Sequence, residues 1–177
     1  FITPFILFFM LFWLIPFIYG IVMSLSKYSL IMGNQGFVGF SNYIKILVGD
    51  SMYHNSFLLG LKNTVIFTAC TTPFLVLGSL GLALLLDRLP DKCKGIFRTI
   101  YFASYSVSVT AVAAVFVWLM KGNGGYLNNL MMNIGIIKKA VPWMEQQPFV
   151  WVSLTVATVW WTIGYNMMLF VNALNEI

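Results

Sequence analysis

Residues 64–86 read TVIFTACTTPFLVLGSLGLALLL, and no Asp, Glu, Lys or Arg interrupts them. A membrane-crossing helix needs about 20 mainly apolar residues. Backbone groups in lipid must bond within their own segment, so the stretch predicts a transmembrane helix. Its apolar residues surround the axis instead of marking one stripe, unlike an amphipathic soluble helix. The alternation over about ten residues that marks a barrel strand is absent. Pro73 lies inside the run and is expected to kink it. Ser79 and Ala83, with Gly78 and Gly81 beside them, make a small-residue face suited to close helix packing.

Three further runs share this character: residues 1–26, 99–120 and 149–171, again without a charged side chain. Pro4 and Pro16 interrupt the first and are expected to be tolerated as kinks. That run is longer than the about 7–15 apolar residues of a signal-peptide core and lacks a small-residue cleavage site, so it reads as a retained membrane helix. The fold class expected is therefore an all-α polytopic membrane protein with about four transmembrane helices. Composition agrees. Only 8% of the 177 residues are charged and 60% are hydrophobic, where a soluble domain carries about 25% charge. Such a chain needs the lipid bilayer as part of its solvent. The net charge of +5 does not indicate nucleic acid, because the basic residues lie between apolar blocks. The sequence begins at Phe1 without Met and stops at Ile177 without a polar tail. Both ends are expected to be truncations.

The connecting segments differ. Residues 27–63 form a long mixed linker with Gly33, Gly36 and Gly39, then Ser41 as an expected N-cap for a short helix over 42–48. Residues 87–98 form a short basic linker holding Arg88, Lys92, Lys94 and Arg98. Residues 121–148 hold Gly122, Gly124, Gly125, Pro142, Trp143 and Glu145. Tyr53, Tyr126 and Trp143, near span ends, suit an interfacial aromatic belt. The density of Lys and Arg in 87–98 argues that this linker and the N-terminus are cytoplasmic. The raw count points the other way, since the two outer linkers hold six lysines: Lys27, Lys45, Lys62, Lys121, Lys138 and Lys139.

Catalytic chemistry is not indicated. There is no phosphate loop, so the chain is not expected to hydrolyse ATP, and no HExxH, GxSxG or usable carboxylate pair occurs. His54 reads as a solvated loop histidine. Cys70 reads as an ordinary small buried side chain, and Cys93 lies in the basic linker; no metal or redox site is expected from either. The four spans carry no ionisable group of the kind that ion-coupled carriers use.

The fourth span carries Trp160-Trp161-Thr162-Ile163-Gly164-Tyr165-Asn166. On a helix, Thr158, Trp161, Thr162 and Tyr165 share one face at i, i+3, i+4 and i+7. Rings beside hydroxyls suit a neutral polyhydroxyl ligand. The alternative is an aromatic belt with helix–helix polar contacts, although Trp160 and Trp161 lie near mid-span.

Six segments in order carry a family resemblance. They are Ile18-Tyr19-Gly20-Ile21-Val22-Met23-Ser24-Leu25, closing the first span, and Phe37-Val38-Gly39-Phe40-Ser41-Asn42-Tyr43, close to FVGLxNY. Asn63-Thr64 opens the second span, and Phe97-Arg98-Thr99-Ile100-Tyr101-Phe102 opens the third, like FRxxxFxP. Gly125-Tyr126-Leu127-Asn128 is like GxLN, and Trp160 with Gly164-Tyr165-Asn166-Met167-Met168 closes the series. The chain thereby resembles permease subunits of carbohydrate ABC importers with the type I, maltose-permease-like fold. Two departures stand out. The family usually has proline where Ala103 or Ser104 stands, which leaves the helix shape after Phe102 open. The EAA coupling loop does not occur; Asn175-Glu176-Ile177 resembles the residues before it.

The resemblance implies residues 1–56 as a first transmembrane helix plus an extracytoplasmic segment, and residues 57–177 as the opening part of an ABC transmembrane type-1 domain. It implies a cytoplasmic-membrane location with the N-terminus inside. It also implies a second permease subunit, two ATPase subunits that hold ATP and Mg, and an extracytoplasmic sugar-binding protein. No cofactor is expected in this chain. Sugar contacts carry over to Trp161, Thr162 and Tyr165. The alternatives are a type I permease for another solute such as glycerol-3-phosphate, a non-transport scaffold subunit, and an ion-coupled carrier. A phosphate would require a basic group in the pathway, and no expected span supplies one.

Overall fold

The computed structural model describes residues 2–48 and 51–176. The readings that fall on Phe1 and Ile177 lie outside them. The chain divides into two compact units, one up to Lys62 and one from Asn63 onward.

The first unit opens with α1 (Thr3–Phe9), a turn of π-helix (Met10–Leu14) and α2 (Ile15–Ser24). Together they make a 22-residue apolar helix, about 33 Å long at 1.5 Å per residue, which matches a hydrocarbon core of about 30 Å. Neither proline ends it. Pro4 sits in the first turn, where its missing N–H has no helical partner to lose. Pro16 is accommodated by the π turn before it. The Ile15 amide donates to the Met10 carbonyl, five residues back, and relieves the crowding a proline ring imposes on the preceding turn.

Behind this helix the mixed linker contains a hairpin that the sequence reading did not anticipate. Strand β1 (Ser26–Ser29) pairs antiparallel with β2 (Gly33–Phe37), Ser29 facing Gly33 and Tyr28 facing Asn34. Gly33, at φ +71°, closes the three-residue turn in the left-handed region where a side chain is strained. Helix α3 runs Ser41–Leu47, with Phe40 at the cap position and no side-chain cap, so Ser41 is inside the helix and not its N-cap. The next two residues do the anchoring. Asn42 donates to the carbonyls of Ser24 (2.8 Å) and Ser26 (3.0 Å), and Tyr43 shares a 2.6 Å hydrogen bond with Ser24.

Helix α4 spans Met52–Asp87, 36 residues, so Asn63-Thr64 lies within it and does not open it. At about 54 Å it outreaches the hydrocarbon core. Pro73 is carried inside without ending the helix. His54 sits in the first turn, half-buried, its Nδ1 2.9 Å from the Ile46 carbonyl, and is not a solvated loop residue. The division between the two units falls within this helix, after Lys62.

The basic linker is mostly helix. Helix α5 (Asp91–Ala103) carries Lys92, Cys93, Lys94 and Arg98, and Lys94 bridges Asp87 (3.7 Å) and Asp91 (3.3 Å). The expected single third span is not one helix. Helix α5 passes into a 3-10 turn (Ser104–Ser106), and α6 (Val109–Leu119) leaves at 87° to it. No proline is needed for this break. Val107 and Ser108 are extended, at ψ 137° and 134°. Serine hydroxyls compete for backbone groups and β-branched residues favour extended geometry, so the Ser-Tyr-Ser-Val-Ser run is a weak point in the helix. Among the described residues three helices are long and apolar enough to cross a membrane, or four with the bent pair taken as one span.

Residues 121–148 include α7 (Tyr126–Asn133) and lead into α8 (Phe149–Leu174). Asn128 is fully buried and ties this segment together. Its amide donates to Gly122 (2.8 Å) and Val141 (2.9 Å) carbonyls, and its oxygen accepts from the Val141 amide (3.1 Å) and the Trp143 indole (2.8 Å). Trp143 is therefore a half-buried tie, and Tyr126 stacks on Trp118. The core lies between α4 and α8: Ala83 and Leu86 pack with Met167 and Val171. Ser79 and Ala83 are fully buried, as the small-residue face predicts.

Candidate functional site

The site is built where α8 meets the break in the third span. A Cβ on Gly164 would overlap the Tyr101 carbonyl, so the backbones of α5 and α8 touch there. This close approach brings the 3-10 turn over the predicted face of α8. Tyr105, from that turn, lies between two of the predicted residues. Its ring is 5.7 Å from Trp161 and 4.7 Å from Tyr165, at interplanar angles of 29° and 21°. Phe102 adds a tilted contact to Tyr105 at 5.9 Å.

The four predicted residues take different jobs. Trp161 donates its indole N–H to the Val107 carbonyl at 3.0 Å, and its own carbonyl receives the Ser104 hydroxyl at 3.4 Å. Its polar handle is therefore spent on holding the bend, while its ring joins the stack. The Thr162 hydroxyl donates to the Thr158 carbonyl at 2.7 Å, the ordinary way to satisfy a threonine inside a membrane helix. Thr158 is half-buried and lies outside the ring stack. Tyr165 is 39% exposed and Tyr105 38% exposed, and neither phenol has a hydrogen-bond partner among the described residues. Stacking occupies the Tyr105 ring, so the site offers its exposed edge, the part of the Tyr165 ring that Tyr105 leaves uncovered, and two unspent hydroxyls, which can touch C–H surface and exchange hydrogen bonds with it.

Tyr105 is the residue that sequence reasoning missed. It falls in the middle of an apolar run that reads as one uninterrupted helix. The missing proline at Ala103 and Ser104 marked the place without revealing the bend.

The larger cavity is elsewhere. A cleft of about 1080 Å³ runs along another stripe of α8, lined by Cys70, Phe74, Ile100, Trp160 and Ile163 among others, and none of the four predicted residues borders it. Two of its hydroxyls are occupied: Thr155 bonds Thr71 at 3.2 Å, and Ser104 donates to the Tyr101 carbonyl at 3.0 Å. The lining suits hydrocarbon and not a polyhydroxyl. Cys70 is half-buried here as a free thiol. A smaller cavity of about 420 Å³ is lined by Arg98, Thr99, Phe102, Ala103, Ser106 and Met168. The Arg98 Nε is buried and unpaired among the described residues. Helix α5 thus supplies the basic group that the expected span, starting one residue later, left out.

No protein-family model matches the sequence. Individual proteins do. The probable ABC transporter permease protein YurN of Bacillus subtilis is 28% identical over 170 residues, 96% of this chain and 56% of the relative. The lactose transport system permease protein LacF of Rhizobium radiobacter is 29% identical over 177 residues, 100% of this chain and 57% of the relative.

This chain is similar to ABC transporter permeases.

It spans about half the length of the curated relatives it matches. The fold agrees. A bacterial ABC transporter involved in import of the acidic polysaccharide alginate superposes with a TM-score of 0.79 at 22% identity, over 98% of this chain and 56% of that one. In this chain the motif residues have physical tasks. Asn42 and Tyr43 fasten α3 to the first span. Gly125 stands where a Cβ would strike the Lys121 carbonyl, and Asn128 organises the third linker. Gly164 admits the α5 backbone.

Proposed function

We propose that the chain is part of a permease subunit of an ATP-driven ABC importer that carries a sugar or oligosaccharide across the cytoplasmic membrane. One observation carries the reading. Along nearly its whole length the chain is similar to permeases named for lactose and arabinooligosaccharides; the half-exposed phenols of Tyr105 and Tyr165, where the 3-10 turn meets α8, suit such a ligand. Tyr105 and Tyr165 contact the sugar directly, and Trp161 extends the ring surface while fixing the bend. Thr158 and Thr162 border it. Rings cover the C–H faces of a pyranose and the phenols answer its hydroxyls.

In this reading a second permease subunit completes the pathway, an extracytoplasmic sugar-binding protein delivers the substrate, and two ATPase subunits bind ATP and Mg. This chain binds no cofactor and catalyses no reaction. The N-terminus and residues 87–98 face the cytoplasm, where Arg88, Lys92, Lys94 and Arg98 meet anionic head groups. The linkers at 27–63 and 121–148 face outward. The type-1 transmembrane domain begins after residue 56. ATP binding to the ATPase pair shifts the pathway between its two openings by differential affinity.

The test is sugar uptake and sugar-stimulated ATPase of the assembled importer in proteoliposomes. Tyr105→Ala and Tyr165→Ala should each lower both by about tenfold, equivalent to about 1.4 kcal/mol, with assembly intact. Unchanged uptake in both variants would remove the aromatic face from the pathway. Arg98 favours one second reading, an anionic solute such as a glycerol phosphate. Arg98→Gln would then abolish uptake of the phosphorylated solute and spare neutral sugars.

A further inference from the structure

The first unit exposes three contiguous large apolar side chains at the tip of its hairpin. Leu30 is 97%, Ile31 93% and Met32 76% exposed. They lie only a few residues beyond the end of the first membrane span at Ser24. We propose that this tip inserts into the interfacial layer of the same bilayer, making the β1–β2 hairpin a membrane-surface anchor beside the first span.

Four features point to lipid. First, the hairpin leans back along the helix it follows. Tyr28 of β1 brings its hydroxyl to 3.5 Å from that of Tyr19, which lies more than a turn inside the span. The Ser26 hydroxyl likewise donates back to the Val22 carbonyl at 2.8 Å. The tip is thus held near the plane where the helix leaves the membrane, and its surface is continuous with that of the span. Second, the turn backbone is prepared for a medium poor in water. The amides of Ile31 and Met32 donate to the Ser29 hydroxyl at 3.3 and 3.4 Å, so apolar side chains point outward over amides already satisfied. Third, the flanks are those of an interface. Tyr19 and Tyr28 place paired phenols at the head-group level, and exposed Lys27 offers a cation to lipid phosphates. Fourth, the hairpin is fixed at its base. Asn42 bonds both Ser24 and Ser26, so the tip cannot swing freely into water. Three adjoining aliphatic side chains are favourable in the acyl boundary and unfavourable in solvent. The inference needs only that the first helix crosses the bilayer, and it is independent of the substrate.

The test uses the chain in its assembled transporter, in vesicles of phosphatidylethanolamine and phosphatidylglycerol. Ile31→Cys and, as a control on β2, Gln35→Cys are labelled with an environment-sensitive fluorophore in a background carrying Cys70→Ser and Cys93→Ser. The Ile31 label should be quenched several-fold more by nitroxide-bearing lipid than the Gln35 label, and several-fold less by aqueous iodide. Equal iodide quenching at the two positions would place the tip in water and overturn the proposal. Protection of Ile31 that arises only after a purified extracytoplasmic binding protein is added would also overturn it, by identifying the tip as a protein-docking element. A Leu30→Ser, Ile31→Ser, Met32→Ser variant that assembles normally gives a second check on the label at Gln35. Its accessibility to iodide should rise if the anchor is real and stay constant if it is not.

Discussion

The first span and α8 are both long, apolar and uncharged, yet they are opposite kinds of membrane helix. In Thr3–Ser24 no residue is buried, and its order is internal: Phe5, Phe9, Trp13 and Phe17 stack in succession at 6.3, 5.0 and 5.4 Å. In α8 the buried residues are Ser153, Thr155, Gly164, Met167 and Val171, while Leu154, Trp160 and Leu169 face outward. The contrast shows that hydrophobicity sends a helix into lipid and does not set its partners. Lipid tails already solvate leucine, so small residues and satisfied hydroxyls decide where two helices touch.

The sharpest way to break this contrast is a pair of glycine substitutions. Gly164→Leu drives a side chain into the Tyr101 backbone and should abolish the folded assembly, read as loss of a monodisperse peak in detergent. Gly20→Ala meets open space and should leave the melting temperature unchanged. Equal tolerance at both sites would mean that α8 does not pack on α5. Next in size is Asn128→Ala. Removing one amide takes the partner from the Gly122 carbonyl, the Val141 amide and the Trp143 indole, while the Val141 carbonyl keeps the Trp143 amide. The expected cost is about 2–4 kcal/mol, taking each stranded group at about 1–3 kcal/mol with water meeting part of the deficit. It should show as faster proteolysis within residues 121–148. The smallest effect belongs to the first helix. Phe9→Leu removes two ring contacts from an exposed ladder and should change thermal stability by under about 0.5 kcal/mol. A larger loss would show that this face is covered by another protein surface in the assembly.

The same distinction separates what could be read from the chain alone. The four apolar runs, the small face at Ser79 and Ala83, and the likeness to ABC permeases are properties of composition and order, and each holds in the structure or the relatives. The stripe of Trp161 and Tyr165 on α8 was legible because helical spacing is local. The hairpin was not, since its apolar tip and three glycines resemble any long linker. The length of α4 was hidden because Lys62 and His54 lower the hydropathy of its first turns without weakening the helix.

That this chain lives in a membrane follows from its order of residues, because a backbone surrounded by apolar side chains has no other stable solvent. Tertiary contacts were needed to show that the third span bends by 87° at Val107-Ser108 and sets Tyr105 between Trp161 and Tyr165. That bend needs partners far apart in the chain: the Trp161 indole on the Val107 carbonyl, the Ser104 hydroxyl on the Trp161 carbonyl, and the space left by Gly164. Local propensity makes the break possible, and contacts that exist only after α5 and α8 have met make it permanent.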